Sequence, residues 1–277
     1  MKKVISVMIM MVMLVCMFTG CKKEAASDKE VASDKDDSLT YIMDKKEFVL
    51  GLDASFPPMG YKDENDEIVG FDIDLAKEVC ERMGVELKLQ PIDWDSKEME
   101  LNDAKSIDCI WNGLSYSEER AESMTLSESY MTNRQVVVVL TDSTYNTLAD
   151  LSGKTLALQS GSTAAEAVDG NTEFKDSLKE VIKIDDNVKA MMDLEVGGSD
   201  AVAMDEIVAR YYMEKNEGKF RVLDETLEDE LYVIGFRKGD QALCDEVVKY
   251  LKEMKKDGTL AKISEKWFGS DITSFND

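Results

Sequence analysis

The sequence predicts an α/β fold made of two lobes that the chain joins twice. Short apolar segments alternate with segments of helical periodicity, which indicates a parallel sheet with covering helices. A run at residues 135–140 that is apolar apart from Gln135 and mostly β-branched is long enough to leave one lobe, and a second run at 231–236 leads back. The length of 277 residues suffices for two hydrophobic cores. We therefore expect lobe one to comprise residues 45–132 and 231–277, and lobe two residues 133–230.

Lobe one shows the strand and helix alternation most clearly. Its predicted elements are a strand at 48–52, a helix at 72–83, a strand at 85–91, a helix ending near 104 and a strand at 107–110. The consecutive prolines Pro57 and Pro58 end regular structure after the first strand. Gly84 is a suitable stop for the first helix, whose first turn is acidic. The order of these elements predicts parallel pairing of the strands.

Lobe two repeats the same pattern, and two helices close the chain. Its predicted elements are strands at 135–140, 154–158, 181–184 and 201–204, with helices at 164–168 and 187–196. The return strand at 231–236 is followed by helices at 241–256 and 259–267. The two crossings would form a hinge, and strand ends and loops would meet in the cleft between the lobes.

The composition excludes several classes of function. The chain has 33 basic and 57 acidic residues and a formal net charge of -24, which argues against a nucleic-acid partner. It has no histidine, so the usual general base, the Ser-His and Cys-His pairs and the commonest zinc ligand are missing. We expect no metal and no cofactor. Catalysis would have to use carboxylates.

The N-terminus resembles the signal peptide and lipobox of a bacterial lipoprotein. Lys2 and Lys3 precede an uncharged apolar run at residues 4–18, and small residues then precede Cys21. Residues 1–20 would be removed, and Cys21 would carry the lipid on the outer face of the membrane. A plain secretory signal or an N-terminal anchor helix is the alternative. Residues 21–44 are rich in Lys, Glu, Asp, Ser and Ala, and this polar composition predicts a flexible tether.

Three cysteines remain within the predicted lobes. Cys80, Cys109 and Cys244 lie in apolar patterns, which predicts small buried hydrophobic residues rather than a disulfide framework. An odd number leaves at least one free thiol.

Residues 111–120, Trp-Asn-Gly-Leu-Ser-Tyr-Ser-Glu-Glu-Arg, predict a seat for a carboxylate where a strand opens into a turn and a helix. Gly113 allows close approach of the backbone, Ser115 offers a hydroxyl and an N–H, and Arg120 offers a planar fork of donors. An ordinary turn with a surface arginine is the alternative.

Two further positions fit an amino-acid-sized ligand. Residues 159–163, Gln-Ser-Gly-Ser-Thr, open a helix whose N–H groups favour an anion, although the same pattern is typical of a simple N-cap. Asp205 follows the strand at 201–204 as a helix begins, which an N-cap would also explain.

These residues together resemble the periplasmic amino-acid-binding proteins of bacterial ABC importers, solute-binding protein family 3. The resemblance extends from about residue 47 to 271. Its motifs are residues 51–58 (Gly-Leu-Asp-Ala-Ser-Phe-Pro-Pro), 68–76 (Ile-Val-Gly-Phe-Asp-Ile-Asp-Leu-Ala), 93–94 (Asp-Trp), 113–115 with Arg120, 159–163, 200–205 and 258–260. The resemblance implies the two-lobed type II periplasmic binding protein fold, in which each lobe is a sheet flanked by helices.

The resemblance also implies a role for each site residue. Arg120, with the N–H groups of Ser115 and Thr163, would hold an α-carboxylate, while Asp205, the Gly113 carbonyl and the Ser115 hydroxyl would hold an α-ammonium. Phe56 and Trp94 would form aromatic walls with Asp53 near the far end, although Trp94 could be a core anchor. The ligand-binding set is Asp53, Phe56, Trp94, Asn112, Gly113, Ser115, Arg120, Gly161, Ser162, Thr163 and Asp205.

The expected function is capture of a polar amino acid for an ABC permease by a lipid-anchored monomer. Cystine, glutamine and basic amino acids are candidate ligands, and bulk at Trp111 and Asn112, where the family often has small residues, bears on that choice. Two alternatives share the fold: an enzyme like cyclohexadienyl dehydratase, with Glu206 or Asp53 as general acid, and a ligand-binding sensor.

Overall fold

The computed structural model describes residues 36–275, and residues 36 onwards form one compact unit. The predicted signal peptide at 1–20, Cys21 and the tether up to residue 35 lie outside the described residues. The helices are α1 (Ser38–Lys45), α2 (Phe71–Met83), α3 (Lys97–Met99), α4 (Glu118–Ser123), α5 (Thr163–Gly170), α6 (Thr172–Ser177), α7 (Asn187–Glu195), α8 (Glu206–Lys215), α9 (Gln241–Asp257) and α10 (Thr259–Phe268).

The strands are β1 (Glu47–Leu52), β2 (Ser55–Phe56), β3 (Gly60–Lys62), β4 (Ile68–Val69), β5 (Glu86–Pro91), β6 (Cys109–Ser115), β7 (Met124–Leu126), β8 (Met131–Leu140), β9 (Thr155–Gln159), β10 (Glu180–Ile184), β11 (Ala201–Asp205) and β12 (Phe220–Arg237). Short 3₁₀ turns lie at Trp94–Ser96 and Leu148–Leu151, and a π turn lies at Glu100–Ala104.

The prediction of a flexible tether is wrong for residues 38–44, the helical part of the tether that the structure describes. Residues 38–44 belong to α1, in which Ile42 is fully buried and packs in the main hydrophobic core. The Ser38 hydroxyl accepts a hydrogen bond of 3.1 Å from the Leu243 N–H, at the start of α9. The polar composition of the preceding residues concealed this helix, although Leu39, Tyr41, Ile42 and Met43 within it are apolar or aromatic.

The three parallel strands of lobe one are confirmed. β1 pairs in parallel with β5 and β6, so that these strands lie in the order β5-β1-β6. α2 crosses between β1 and β5 and ends at Gly84, whose φ of 72° is left-handed and whose N–H bonds to the Glu81 carbonyl. This is the helix stop that the sequence predicts.

Lobe two contains both strand directions. β9 pairs in parallel with β10 and β11, whereas β11 pairs antiparallel with β8. The helices α5 and α7 cover this part of the sheet. The fold is therefore α/β with sheets flanked by helices, as expected.

The two lobes are joined by β8 and β12, which are longer than the sequence pattern indicates. β12 pairs antiparallel with β8 from Phe220 to Tyr232, and it then pairs antiparallel with β6. The strand order across both lobes is β10-β9-β11-β8-β12-β6-β1-β5. The predicted crossings near residues 133 and 231 lie in these strands, and the lobe limits 45–132, 133–230 and 231–277 stay a prediction.

The turn predicted directly after residue 110 is also wrong, because β6 continues to Ser115. Pairing of Leu114 with Val233 and of Ser115 with Tyr232 extends the strand. Gly113 interrupts it with a φ of 58°, and its N–H donates to the Asp72 carboxylate at 2.7 Å. The buried carboxylate thus holds a backbone bend inside a strand.

The cysteine prediction is confirmed for the described residues. Cys80, Cys109 and Cys244 are buried and free, and burial raises the thiol pKa of Cys80 and of Cys244 to about 12. Within residues 36–275, the helices lack the combination of length and apolar character that a membrane span requires. The same range contains no group of histidine, cysteine or acidic residues suited to a metal ion.

Candidate functional site

A narrow cavity lies between the two lobes. The cavity volume is only about 10 Å³. Hydrogen bonds from Gln159 to Asp53 and from Arg120 to the Gly161 carbonyl join its opposite sides. The residues that line it are Phe56, Trp94, Gly113, Ser115, Arg120, Gln159, Ser162, Thr163 and Asp205. Lobe one supplies the first five and lobe two the others. Of these residues, only Gln159 was absent from the predicted ligand-binding set.

Arg120 is a buried cation at this cavity, which excludes the surface arginine that the sequence left open. It lies in α4 and is 3% exposed. Its Nη1 donates to the Ser115 carbonyl at 2.7 Å, and its Nη2 lies 3.3 Å from Oε1 of Glu166 and 3.4 Å from the Gly161 carbonyl oxygen. Its Nε is buried and has no partner among the described residues. The guanidinium is therefore fixed by neighbours and retains donor capacity.

The start of α5 forms the facing wall. The Ser162 hydroxyl accepts from the Ala165 N–H at 3.2 Å and donates to the Gln159 carbonyl at 2.7 Å, so its side chain is an N-cap. The Thr163 hydroxyl accepts from Nε2 of Gln135 at 3.2 Å. The N-cap interpretation holds for Ser162, and the helix nevertheless presents its N-terminal end to the cavity that Arg120 lines.

Asp205 ends β11 and lies on the same cavity at 5% exposure. Its side chain makes no N-cap hydrogen bond to α8, which excludes the simple capping alternative. Its Oδ1 instead accepts from Nδ2 of Asn133 and from the Tyr232 hydroxyl, both at 2.7 Å. Burial, followed by the nearby Glu230 charge, raises the pKa of Asp205.

Glu230 is a second buried carboxylate that the sequence reasoning missed. Its Oε2 accepts from the Ser115 hydroxyl at 2.8 Å, from Nε2 of Gln135 at 2.9 Å and from Nδ2 of Asn133 at 3.0 Å. It stands in an acidic run at 228–230 that reads as a solvated surface. Only the pairing of β12 with β8 carries it inward, so the sequence offered no signal.

Three predicted ligand residues lie behind the cavity wall. Oδ2 of Asp53 accepts from Nε2 of Gln159 at 2.7 Å, and burial raises the pKa of Asp53 to about 6. Oδ1 of Asn112 accepts from the Asp53 N–H at 3.1 Å. The Gly161 carbonyl accepts from Nζ of Lys97 at 2.9 Å. These residues support the wall without lining it.

The aromatic residues divide between wall and core. Phe56 and Trp94 both line the cavity, and Trp94 also packs with Leu101 and Ile107, so both interpretations of Trp94 apply. A Cβ added to Gly113 would lie 2.7 Å from Cε1 of Phe56, so glycine is needed for this approach. Trp111 is fully buried in the core and does not line the cavity, so its bulk does not contact a ligand there.

Comparison with known proteins gives a consistent relationship. The model of the bacterial extracellular solute-binding proteins, family 3, matches residues 48–270. The L-cystine-binding protein TcyJ of Escherichia coli strain K12 is 29% identical over 267 residues, which is 96% of this chain and 96% of that protein. The arginine-binding extracellular protein ArtP of Bacillus subtilis strain 168 is 34% identical over 227 residues, 81% of this chain and 87% of that protein.

A solved structure agrees with the fold. The crystal structure of an ABC uptake transporter substrate-binding protein from Streptococcus pneumoniae, with bound histidine, has a TM-score of 0.83 and 36% sequence identity. The match covers 86% of this chain and 99% of that structure. The chain therefore belongs to the bacterial extracellular solute-binding proteins of family 3 and has their two-lobed α/β fold.

Proposed function

We propose that this protein is an extracytoplasmic lipoprotein that captures a polar amino acid and delivers it to an ABC permease. One observation carries the proposal: Arg120 of lobe one and Asp205 of lobe two line a single cavity, and both are at least 95% buried. A ligand with one positive and one negative group matches both walls. Such a ligand stabilises the closed arrangement through contacts that it makes with both lobes at once.

The two ends of the cavity differ in charge. The Arg120 guanidinium and the N-terminal end of α5 would hold the α-carboxylate, because both supply positive potential. Asp205, the Ser115 hydroxyl and the Gly113 carbonyl would hold the α-ammonium, with Glu230 hydrogen-bonded to that hydroxyl at 2.8 Å. A zwitterion that leaves water needs opposite charges at both ends to replace its hydration.

The ligand side chain would extend between Phe56 and Trp94 toward Gln159 and Asp53. Nε2 of Gln159 binds Asp53, and its Oε1 accepts from Nδ2 of Asn187 at 3.1 Å, so polar groups from both lobes meet there. This polar end favours a long polar or basic side chain. Cystine, glutamine and basic amino acids remain the candidate ligands, and the names of the relatives include cystine and arginine.

A thermal-shift screen tests the proposal. The purified chain is heated with each of the twenty amino acids, cystine, ornithine and citrulline. A ligand that binds only the folded protein raises the melting temperature, and isothermal calorimetry should then give a Kd of about 1 µM or tighter, or about -8 kcal/mol. Absence of any shift across this panel would contradict amino-acid capture.

An enzyme of the cyclohexadienyl-dehydratase type is the second candidate, because the raised pKa of Asp205 allows a carboxyl group to keep its proton near neutral pH. The earlier candidate Glu206 does not suit this role. Although burial acts in the opposite direction, hydrogen bonds from Arg210 and Arg134 lower the pKa of Glu206. Turnover of prephenate or arogenate would establish the enzyme, and binding without turnover would exclude it.

A further inference from the structure

Lys97 is a buried lysine at the boundary between the lobes. It begins α3 in lobe one and is 3% exposed, a burial that lysine reaches only with partners. Its Nζ donates to the Trp94 carbonyl at 3.2 Å and lies 5.3 Å from the centre of the Trp94 ring. Neither contact needs lobe two.

The shortest contact of its ammonium group crosses the cleft. Nζ of Lys97 lies 2.9 Å from the carbonyl oxygen of Gly161, in the turn that opens α5 of lobe two. Nη2 of Arg120 lies 3.4 Å from the same oxygen. Two cations of lobe one therefore converge on one carbonyl of lobe two. Burial and the Arg120 charge lower the pKa of Lys97, which is consistent with a site sealed from water.

The backbone at Gly161 is shaped for this approach. Its φ of 65° is left-handed, and an added Cβ would lie 2.8 Å from Oδ1 and 3.0 Å from Cα of Asp95. Glycine at 161 thus lets the turn come close enough for its carbonyl to reach Lys97. Separation of the lobes would remove this hydrogen bond and leave the two contacts with Trp94 in place.

We propose that Lys97 is a closure residue: its ammonium group binds the Gly161 carbonyl only when the lobes are together and thereby adds to the stability of the closed form. Lys97 is a positioning residue, since it holds the turn that presents Ser162 and Thr163 to the cavity. The inference rests on the proposed function only in requiring that the lobes open and close.

The test measures the distance between the lobes. Spin labels are attached at Asn65→Cys in lobe one and Glu214→Cys in lobe two, both exposed positions. The background carries Cys16→Ser and Cys21→Ser, and its three remaining cysteines, Cys80, Cys109 and Cys244, are buried. Distance distributions are recorded with and without a mixture of L-arginine, L-histidine, L-glutamine and L-cystine at about 1 mM each. This concentration is on the order of 10³ times a micromolar Kd, so that a binding site is saturated. The spin-labelled Lys97→Met variant is compared with the spin-labelled protein that retains Lys97.

We expect Lys97→Met to reduce the ratio of closed to open molecules about tenfold or more, because a hydrogen bond from a charged donor is lost. Lys97→Arg, which retains a cationic donor, should restore part of the closed population. Glu98→Gln is the matched control: it removes the 3.4 Å ion pair of Lys97 within lobe one and should leave the ratio unchanged.

Two outcomes would overturn the inference, and they can be told apart. If the intact chain closes and Lys97→Met closes equally, Lys97 has no role in closure and the proposed function stands. If the intact chain shows only long distances in both conditions, closure itself fails and the proposed function fails with it. A melting temperature of the ligand-free variant close to that of the intact chain excludes loss of folding as the cause.

Discussion

The carboxylates of Asp205 and Glu230 share one donor atom. Nδ2 of Asn133 lies 2.7 Å from Oδ1 of Asp205 and 3.0 Å from Oε2 of Glu230, and both acidic residues are more than 90% buried. Asp205 and Ser115 line the cavity. Glu230 accepts a hydrogen bond from the Ser115 hydroxyl and shares the Asn133 amide with Asp205. Two negative charges so close, with so little water, disfavour each other and favour the arrival of an ammonium group.

The affinity for amino acid should therefore depend on pH. Burial and the Glu230 charge raise the pKa of Asp205 from its ordinary 3.8 to about 7, so the group holds a proton below that pH in the ligand-free protein. Binding of an ammonium group requires the ionised form and expels that proton. Affinity should fall as pH decreases below 7, by at most about tenfold per pH unit.

Calorimetry between pH 5 and 8 measures this dependence. Asp205→Asn should weaken binding and remove the pH dependence. Asp63→Asn is the control, because Asp63 is a turn residue that does not line the cavity and whose pKa is lowered by backbone hydrogen bonds from Glu67 and Asn65. A constant Kd for the unchanged protein across this range would contradict the assignment of Asp205.

Arg120→Lys should weaken amino-acid binding about 100-fold or more, although it keeps a positive charge. Lysine lacks the planar guanidinium with which Arg120 contacts both Ser115 and Gly161. It therefore cannot make a bidentate pair of hydrogen bonds to the two oxygens of a carboxylate. Calorimetry measures the loss. Arg210→Lys, at a residue 54% exposed in its side chain, should bind normally. Unchanged affinity in Arg120→Lys would mean that the carboxylate lies elsewhere.

Gly113→Ala should destabilise the protein by about 1–3 kcal/mol and impair binding. The new methyl group would meet Phe56 at 2.7 Å and would occupy a left-handed backbone position. Gly153→Ala isolates the backbone cost, since its φ is 73° and nothing lies within 4 Å of the added Cβ. Urea unfolding should show a larger loss at Gly113. Equal losses would show that contact with Phe56 contributes nothing.

Ile42→Ala should lower stability by about 2–4 kcal/mol without changing ligand affinity. Ile42 is fully buried in α1, and no residue of α1 lines the cavity. Tyr41→Ala is the matched control in the same helix, because Tyr41 is 52% exposed and should change stability by no more than about 0.5 kcal/mol. Chemical unfolding distinguishes the two. Equal stability of both variants would place α1 outside the cooperative fold.

Cys21→Ser should release the protein from the membrane. The proposed lipid attachment at Cys21 rests on the leader pattern at residues 1–21, and a hydroxyl cannot replace the thiol in that modification. Membrane fractionation and the mass of the mature N-terminus measure the effect. A Cys244→Ser variant, at a buried cysteine, should remain attached. Retention of Cys21→Ser at the membrane would support an N-terminal anchor helix instead.

The sequence by itself determined the class of fold and most of the cavity wall. Strand and helix periods are local properties of the chain, so the parallel arrangement of β1, β5 and β6 could be predicted from their order. Arg120 and Asp205 could be chosen because each stands where a strand or turn meets a helix and because the pattern around them resembles a known family. Their burial was not readable from the pattern.

Only the tertiary structure decided which polar groups meet. Glu230, Gln135 and Asn133 lie in strands of mixed composition, and pairing of β12 with β8 is what turns their side chains toward Ser115 and Asp205. Lys97 stands 64 residues from Gly161, and nothing in the sequence near either residue indicates the contact. Such contacts depend on the packing of distant segments, whereas local patterns report only period, turn chemistry and hydrophobicity. For that reason the family could be inferred from the sequence, whereas the hydrogen-bond network beside the cavity could be identified only in the folded molecule.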